Sequence, residues 1–264
     1  MSAVITLNEQ TLGRDDGPVL IMLHGLYGSG SNWRSVAKPF ADNYRIILPD
    51  LRNHGRSPHH PDMDYRSIAR DVIALLDRHA IGSAAVVGHS MGGKVAMALA
   101  LMAPERVSHL MVLDIAPVIY AHKSEQSSVI EALQALDLSR IQSRDDADEA
   151  LADAIPKPLV RQFLLTNLQR SGDDWTWRIP LAQLADALPS LLDWPSELTG
   201  PWLGPAYFVY GGASDYVQAS SRPAIDARFP GARYHCLEGI GHWVHAQAPD
   251  AFIEQLKDCL AESQ

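Results

Sequence analysis

The stretch GHSMG, residues 88–92, places a serine between two glycines two positions away on either side. A serine hydroxyl is a weak nucleophile until a base takes its proton and a carboxylate holds that base in place. The G-x-S-x-G spacing suits a sharp turn from a strand into a helix. Gly88 and Gly92 are expected where side chains would clash across that turn, with Ser90 in a strained backbone conformation and its hydroxyl raised above the sheet. The flanks supply both elements: AAVV before the turn reads as a strand and KVAMALALM after it as a helix. The helix start adds free N–H groups and a positive dipole end.

The chain has eleven histidines, so abundance identifies no base. His242 lies in EGIGHWVHAQAPDAF, on a loop between the strand ARYHCLE and a helix expected to begin near Pro249. That is where the chain order Ser…Asp…His puts the base. His245, one turn further on, is the rival and is expected to pack in the following turn. His24, in LHGLYGSG, is expected to be a packed residue beside the loop that offers the Leu26 N–H. With the Met91 N–H it would form an oxyanion hole, in which one donor is worth about 3–4 kcal/mol of transition-state stabilisation.

Two carboxylates qualify as the group that orients His242. In MVLDIAPV (111–118), Asp114 interrupts an otherwise apolar run at the end of a buried strand. A buried carboxylate without partners costs several kcal/mol, so Asp114 needs one. Asp215, in GGASDYV, ends the next strand among small polar residues. Their strands are neighbours in the expected topology, so both acids are within reach of the same histidine.

The runs VLIMLHG (19–25), YRIILPD (44–50), AAVVGHS (84–90), HLMVLDI (109–115) and AYFVYGG (206–212) read as strands buried on both faces, as in a parallel sheet. Between them, Ile68, Val72, Leu75 and Leu76 fall at helical spacing, and the helix after Ser90 should stop at Pro104. This alternation predicts an α/β fold with a mostly parallel, doubly wound sheet. It breaks between 118 and 199. There, amphipathic helices with no strand are expected, one with the stripe Val129, Ile130, Leu133 and Leu136. Another, after Pro158, has Val160, Phe163, Leu164, Asn167 and Leu168. Residues 118–199 are expected to be a helical lid inserted into a core of residues 1–117 and 200–264. Trp175, Trp177, Trp194 and Trp202 are expected to pack.

Net charge is −9, of which residues 117–199 carry −6, so neither nucleic acid nor an anionic membrane surface is an expected partner. The N-terminus lacks the basic and apolar parts of a signal peptide, and no apolar run approaches a membrane span. A cytoplasmic setting is expected, with Cys236 and Cys259 as two free, buried thiols. His59, His60 and Asp62, or His242 with His245, match no closed metal site, and no phosphate loop or dinucleotide fingerprint is present. No cofactor and no metal are expected.

HGLYGSGSNW, DLRNHGRSP, GHSMGGKVAMALA, LDIAPV, GGASDYV and GIGHWVHAQAP, in this order, resemble the YbfF-type carboxylesterases of the α/β-hydrolase superfamily and their mammalian mitochondrial abhydrolase relatives. The resemblance runs through nearly the whole chain. It implies the α/β-hydrolase fold, with Ser90 as nucleophile, His242 as base and the Leu26 and Met91 N–H groups as oxyanion hole. It further implies a cofactor-free serine esterase acting on small-molecule esters with short to medium acyl chains. In that subgroup the LDIAP aspartate is the triad acid, and the turn after the later strand usually lacks one. This chain carries acids at both places, so Asp114 is the expected acid and Asp215 the second candidate. A C–C bond hydrolase or lyase, or an acyl-CoA thioesterase, on the same triad is the alternative, and a non-catalytic ligand-binding receptor a remote one. The sequence leaves the physiological substrate and the choice between monomer and dimer open.

Overall fold

The computed structural model describes residues 3–120 and 125–262. Each long apolar run becomes a strand: β2 (Val19–Leu23), β3 (Arg45–Pro49), β4 (Ala84–His89), β5 (Val107–Leu113) and β8 (Ala206–Gly211). With β1 (Glu9–Gly13) and β9 (Arg233–Leu237) they form one seven-stranded sheet of order β1-β3-β2-β4-β5-β8-β9. Only β1 runs antiparallel to its neighbour; every other pairing is parallel. The central strands are buried on both faces, which is why they read as unbroken apolar runs rather than as alternation. Helices α1 (Tyr65–Arg78) and α2 (Met91–Met102) pack together on one face. Asp64 caps α1, accepting from Ser67 N at 2.9 Å, and Pro104 prevents α2 from continuing. The C-terminal helix Pro249–Leu260 buries Phe252, Leu256 and Cys259 against the other face.

Between β5 and β8 the chain leaves the sheet. Helices α3 (Glu125–Ala135), α4 (Arg144–Ala150), α5 (Pro158–Leu165) and α6 (Leu181–Leu192) lie here, with α3 packed on α6. Ile130 and Leu133 of α3 and Leu184, Leu188 and Leu191 of α6 join the apolar cluster that includes Tyr65 and Val95 of the core. The expectation of helices alone is corrected. β6 (Leu168–Ser171) and β7 (Asp174–Trp177) form an antiparallel hairpin, with Ser171 opposite Asp174. Gly172, at φ 63°, makes the two-residue turn, and Trp175, Thr176 and Trp177 favour an extended backbone. Asn167 and Leu168, assigned above to a helical stripe, therefore lie beyond the end of α5. Trp194 and Trp202 are buried, while Trp175 and Trp177 are half-buried against the core. Cys236 is a second correction: both thiols are free and Cys259 is buried, but Cys236 is exposed because it points outward from the edge strand β9.

Lys94 of α2 joins core and excursion. Its side chain is buried, and Nζ donates to the carbonyls of Val118 (2.9 Å), Leu192 (3.3 Å) and Asp193 (2.7 Å). The ammonium also sits over the rings of Tyr65 and Tyr120, at 5.3 and 4.8 Å from their centres. As an ammonium, Lys94 thus brings three donors to three carbonyls contributed by both ends of the excursion. Burial lowers the Lys94 pKa to about 7, against the opposing pull of Asp193. In the unfolded chain the group holds its proton up to about pH 10.4. Between these values the unfolded state binds more protons, so this contribution to stability is complete above pH 10 and is lost as pH falls towards 7. Urea unfolding of the wild type and of Lys94→Met should accordingly give a stability difference that shifts in favour of the wild type from pH 7 to 10. A difference independent of pH would contradict the assignment.

Candidate active site

The turn between β4 and α2 holds Ser90 at φ 53° and ψ −118°, a left-handed backbone that a non-glycine residue rarely adopts. The flanking glycines are required by space. A Cβ on Gly88 would lie 2.2 Å from Gly92 O, and one on Gly92 would lie 2.3 Å from Leu23 O. Ser90 N donates to Leu113 O at 3.0 Å, tying the turn to the end of β5. Met91 opens α2, where the first N–H groups have no partner within the helix.

Asp114 follows β5 directly, also with positive φ (50°), and its side chain is fully buried. Oδ1 accepts from Gly211 N at 3.1 Å. Oδ2 accepts from the Ser214 hydroxyl and lies 2.7 Å from His242 Nδ1. The carboxylate is acceptor-only, so Nδ1 carries the proton and Nε2 is left as the acceptor nitrogen. The neighbouring β5 and β8 make this convergence short. Asp215 is exposed and makes no hydrogen bond among the described residues. The two sequence candidates are thereby separated: the structure bonds Asp114, not Asp215, to His242.

The His242 ring has two aromatic neighbours. Tyr216 stacks on it at 4.0 Å between ring centres and 22° between planes, and the His89 ring centre lies 4.7 Å away, with His89 Nε2 2.9 Å from the His242 backbone O. His245 lies away from the carboxylate, against Trp33 and His89, with ring centres 4.4 and 4.7 Å apart. Ser214, Tyr216 and His89 were not singled out from the sequence. Ser214 stands next to the acid that was, and only the direction of its hydroxyl distinguishes it.

The loop carrying Leu26 is braced from behind by two buried histidines. His24 Nε2 accepts from Leu51 N at 2.9 Å, and His54 Nε2 accepts from Tyr27 N at 3.1 Å. Their Nδ1 atoms pair with Gly25 O and Arg52 O, at 2.8 and 2.9 Å. The segment 50–58 that supplies His54 is itself anchored. Arg52 and Asp71, both fully buried, form a two-pronged ion pair at 2.6 and 2.8 Å. Leu26, Ser90 and Met91 line a cavity of about 40 Å³ together with Leu188, Leu191 and Leu192 of the excursion. Among the described residues, no three His, Cys, Asp or Glu side chains gather as a metal would require, and no helix is long and apolar enough to cross a membrane.

A model of the α/β hydrolase fold matches residues 18–249. The chain belongs to that family. It is 38% identical over 250 residues to the sn-1-specific diacylglycerol lipase ABHD11 of Mus musculus, covering 92% of this chain and 81% of the relative. Esterase YbfF of Escherichia coli is also 38% identical, over 238 residues that cover 90% of this chain and 91% of the relative. Among solved structures, one titled as a marine microorganism esterase superposes with a TM-score of 0.93 at 36% identity, covering 97% of this chain and 99% of that one. The α/β-hydrolase architecture and the YbfF-type resemblance read from the motifs agree with these matches.

Burial favours the neutral form of His54 and of His245. It lowers His54 to about 3, reinforced by His24, and His245 to about 4, reinforced by His242. Unfolded histidine titrates near 6.5, so below that value the unfolded chain gains protons that the folded one refuses. This stability is present above pH 6.5 and is lost as pH falls towards 4. Replacing His54 by Asn should lower stability at pH 8 yet flatten its decline between pH 6.5 and 4. Parallel wild-type and variant curves over that range, followed by denaturant unfolding, would contradict the neutral brace.

Proposed function

We propose that this chain is a serine carboxylesterase that hydrolyses short- to medium-chain acyl esters through Ser90, His242 and Asp114. The coarser statement, that it is a carboxylic ester hydrolase, rests on its relatives. The observation that carries the finer reading is the 2.7 Å contact between His242 Nδ1 and the buried Asp114, beside the strained turn at Ser90. In this reading Ser90 Oγ attacks the acyl carbonyl while His242 Nε2 takes its proton. The Leu26 and Met91 N–H groups receive the negative charge on the carbonyl oxygen. His242 passes the proton to the leaving alcohol, and Asp114 stabilises the transient imidazolium. Water, deprotonated by the same nitrogen, then attacks the acyl-serine; His242 returns the proton to Ser90 as the acid leaves.

No metal or cofactor enters these steps. The segment 118–199 acts here as the lid, its Leu188, Leu191 and Leu192 on α6 lining the same small cavity as Ser90. The short to medium acyl length is taken from the resemblance to the YbfF-type esterases. A cytoplasmic setting belongs to the same reading, supported by two unpaired thiols.

Ser90→Ala should reduce turnover of p-nitrophenyl butyrate to background. Asp114→Asn should lose orders of magnitude in kcat with little change in KM, as loss of a transition-state interaction does, while Asp215→Asn should stay within about twofold of wild type. Thermal melts of each variant separate lost chemistry from lost fold. The reverse pattern for the two aspartates would move the role to Asp215. On acyl length, kcat/KM should fall from C4 to C12 esters; a higher value on C12 would overturn the short-chain assignment.

A further inference from the structure

A histidine fills the position ahead of Ser90 in GHSMG, and its side chain is buried. His89 ends β4, where side chains alternate between the two faces of the sheet. Ala85 and Val87, four and two positions earlier, join the apolar cluster that holds Val244 and Phe252. The His89 ring lies with them, against His245 at 4.7 Å between ring centres. An imidazole withdrawn from water needs a partner for its N–H. That partner is His242 O, 2.9 Å from His89 Nε2. A carbonyl oxygen only accepts, so Nε2 carries the proton and donates it. Burial, reinforced by His245 and His242, pushes the His89 pKa well below its ordinary value, so the ring is neutral and this is its single N–H.

The bond reaches a segment that packing holds weakly. Residues 238–243, which carry His242, are exposed or half-buried throughout. Asp114 holds the far end of the His242 side chain, at Nδ1, while His89 holds the backbone from which that side chain starts. His89 is also joined through its own peptide to Ser90, and it meets the loop that carries Leu26. A Cβ on Gly25 would lie 3.0 Å from His89 Nδ1 and 3.4 Å from Ser90 Cβ. Nucleophile, base and oxyanion loop therefore all adjoin this one residue. We infer that His89 is a positioning residue for the reaction proposed above, on which this step rests: its Nε2–H, donated to His242 O, sets the reach of the imidazole to the Ser90 hydroxyl. Misplacing a catalytic group by about 1 Å costs on the order of a hundredfold in rate. The bond touches no part of a substrate, so its loss should fall on kcat and not on KM.

The test compares two amides of different reach. A glutamine side chain places its N–H near the position of Nε2, whereas an asparagine side chain stops near Nδ1. On p-nitrophenyl butyrate, His89→Gln should keep kcat within about fivefold of wild type and His89→Asn should lose about a hundredfold, with KM within about twofold in both. Thermal melts put each kcat on the basis of folded enzyme. Equal kcat in the two variants overturns the inference, and so does a loss carried by KM. A measurement on the wild type needs no variant. Imidazole 15N–1H correlation spectra should show His89 neutral with its proton on Nε2 at about pH 7 to 9, above the ordinary histidine range; a proton on Nδ1 overturns the inference. A wild type without turnover would remove the esterase reading beneath it, and the inference with it.

Discussion

The buried carboxylate of Asp114 is the constraint around which the site is arranged. A charge at a fully buried position at the end of an apolar strand is tolerable only when donors surround it. Three do: a backbone N–H from the end of β8, a hydroxyl three residues later, and an imidazole from the loop after β9. The sheet order β4-β5-β8-β9 brings these donors together, because each contributing segment leaves the carboxyl end of a parallel strand next to its neighbour. Ser90 leaves β4 on the adjacent strand, with its amide bonded to Leu113 O one residue before Asp114. Satisfying one charge thus fixes three chain segments relative to one another, the Leu113 carbonyl beside it ties in the Ser90 turn, and under the proposed mechanism the bond to His242 holds the base in its working tautomer.

Around this centre, buried polar groups do what apolar packing alone would not. His24 and His54 present neutral acceptor nitrogens to backbone N–H groups of facing loops, and burial keeps them neutral. Lys94 satisfies the carbonyls where the chain leaves and rejoins the core. Each group bonds directed partners at set distances, so each specifies one loop geometry, whereas apolar contacts tolerate sliding. The loops at the strand ends are held by such pairings, and the helices over them by leucine packing.

Much of this was legible in the sequence, for physical reasons that differ by element. The parallel strands were readable because burial on both faces leaves no room for polar alternation, and the Ser90 turn because only glycine fits at 88 and 92. The hairpin at 168–177 was missed because Leu168 continues the apolar spacing of α5, although Gly172 and the run Trp175, Thr176 and Trp177 carried a local turn-and-strand signal. Asp114 and Asp215 could not be separated, since both end neighbouring strands. The difference lies in which carboxylate turns inward, and that depends on Gly211 and Ser214, nearly a hundred residues from Asp114.

The central claim is that His242 is held by Asp114 and not by Asp215. Proton NMR of the imidazole Nδ1–H tests it most directly, since a hydrogen bond to a buried carboxylate shifts that resonance strongly downfield and protects it from exchange. The wild type should show one such resonance, absent from His242→Gln and from Asp114→Ala and unchanged in Asp215→Ala. A resonance that survives loss of Asp114 and disappears with Asp215 would contradict the account.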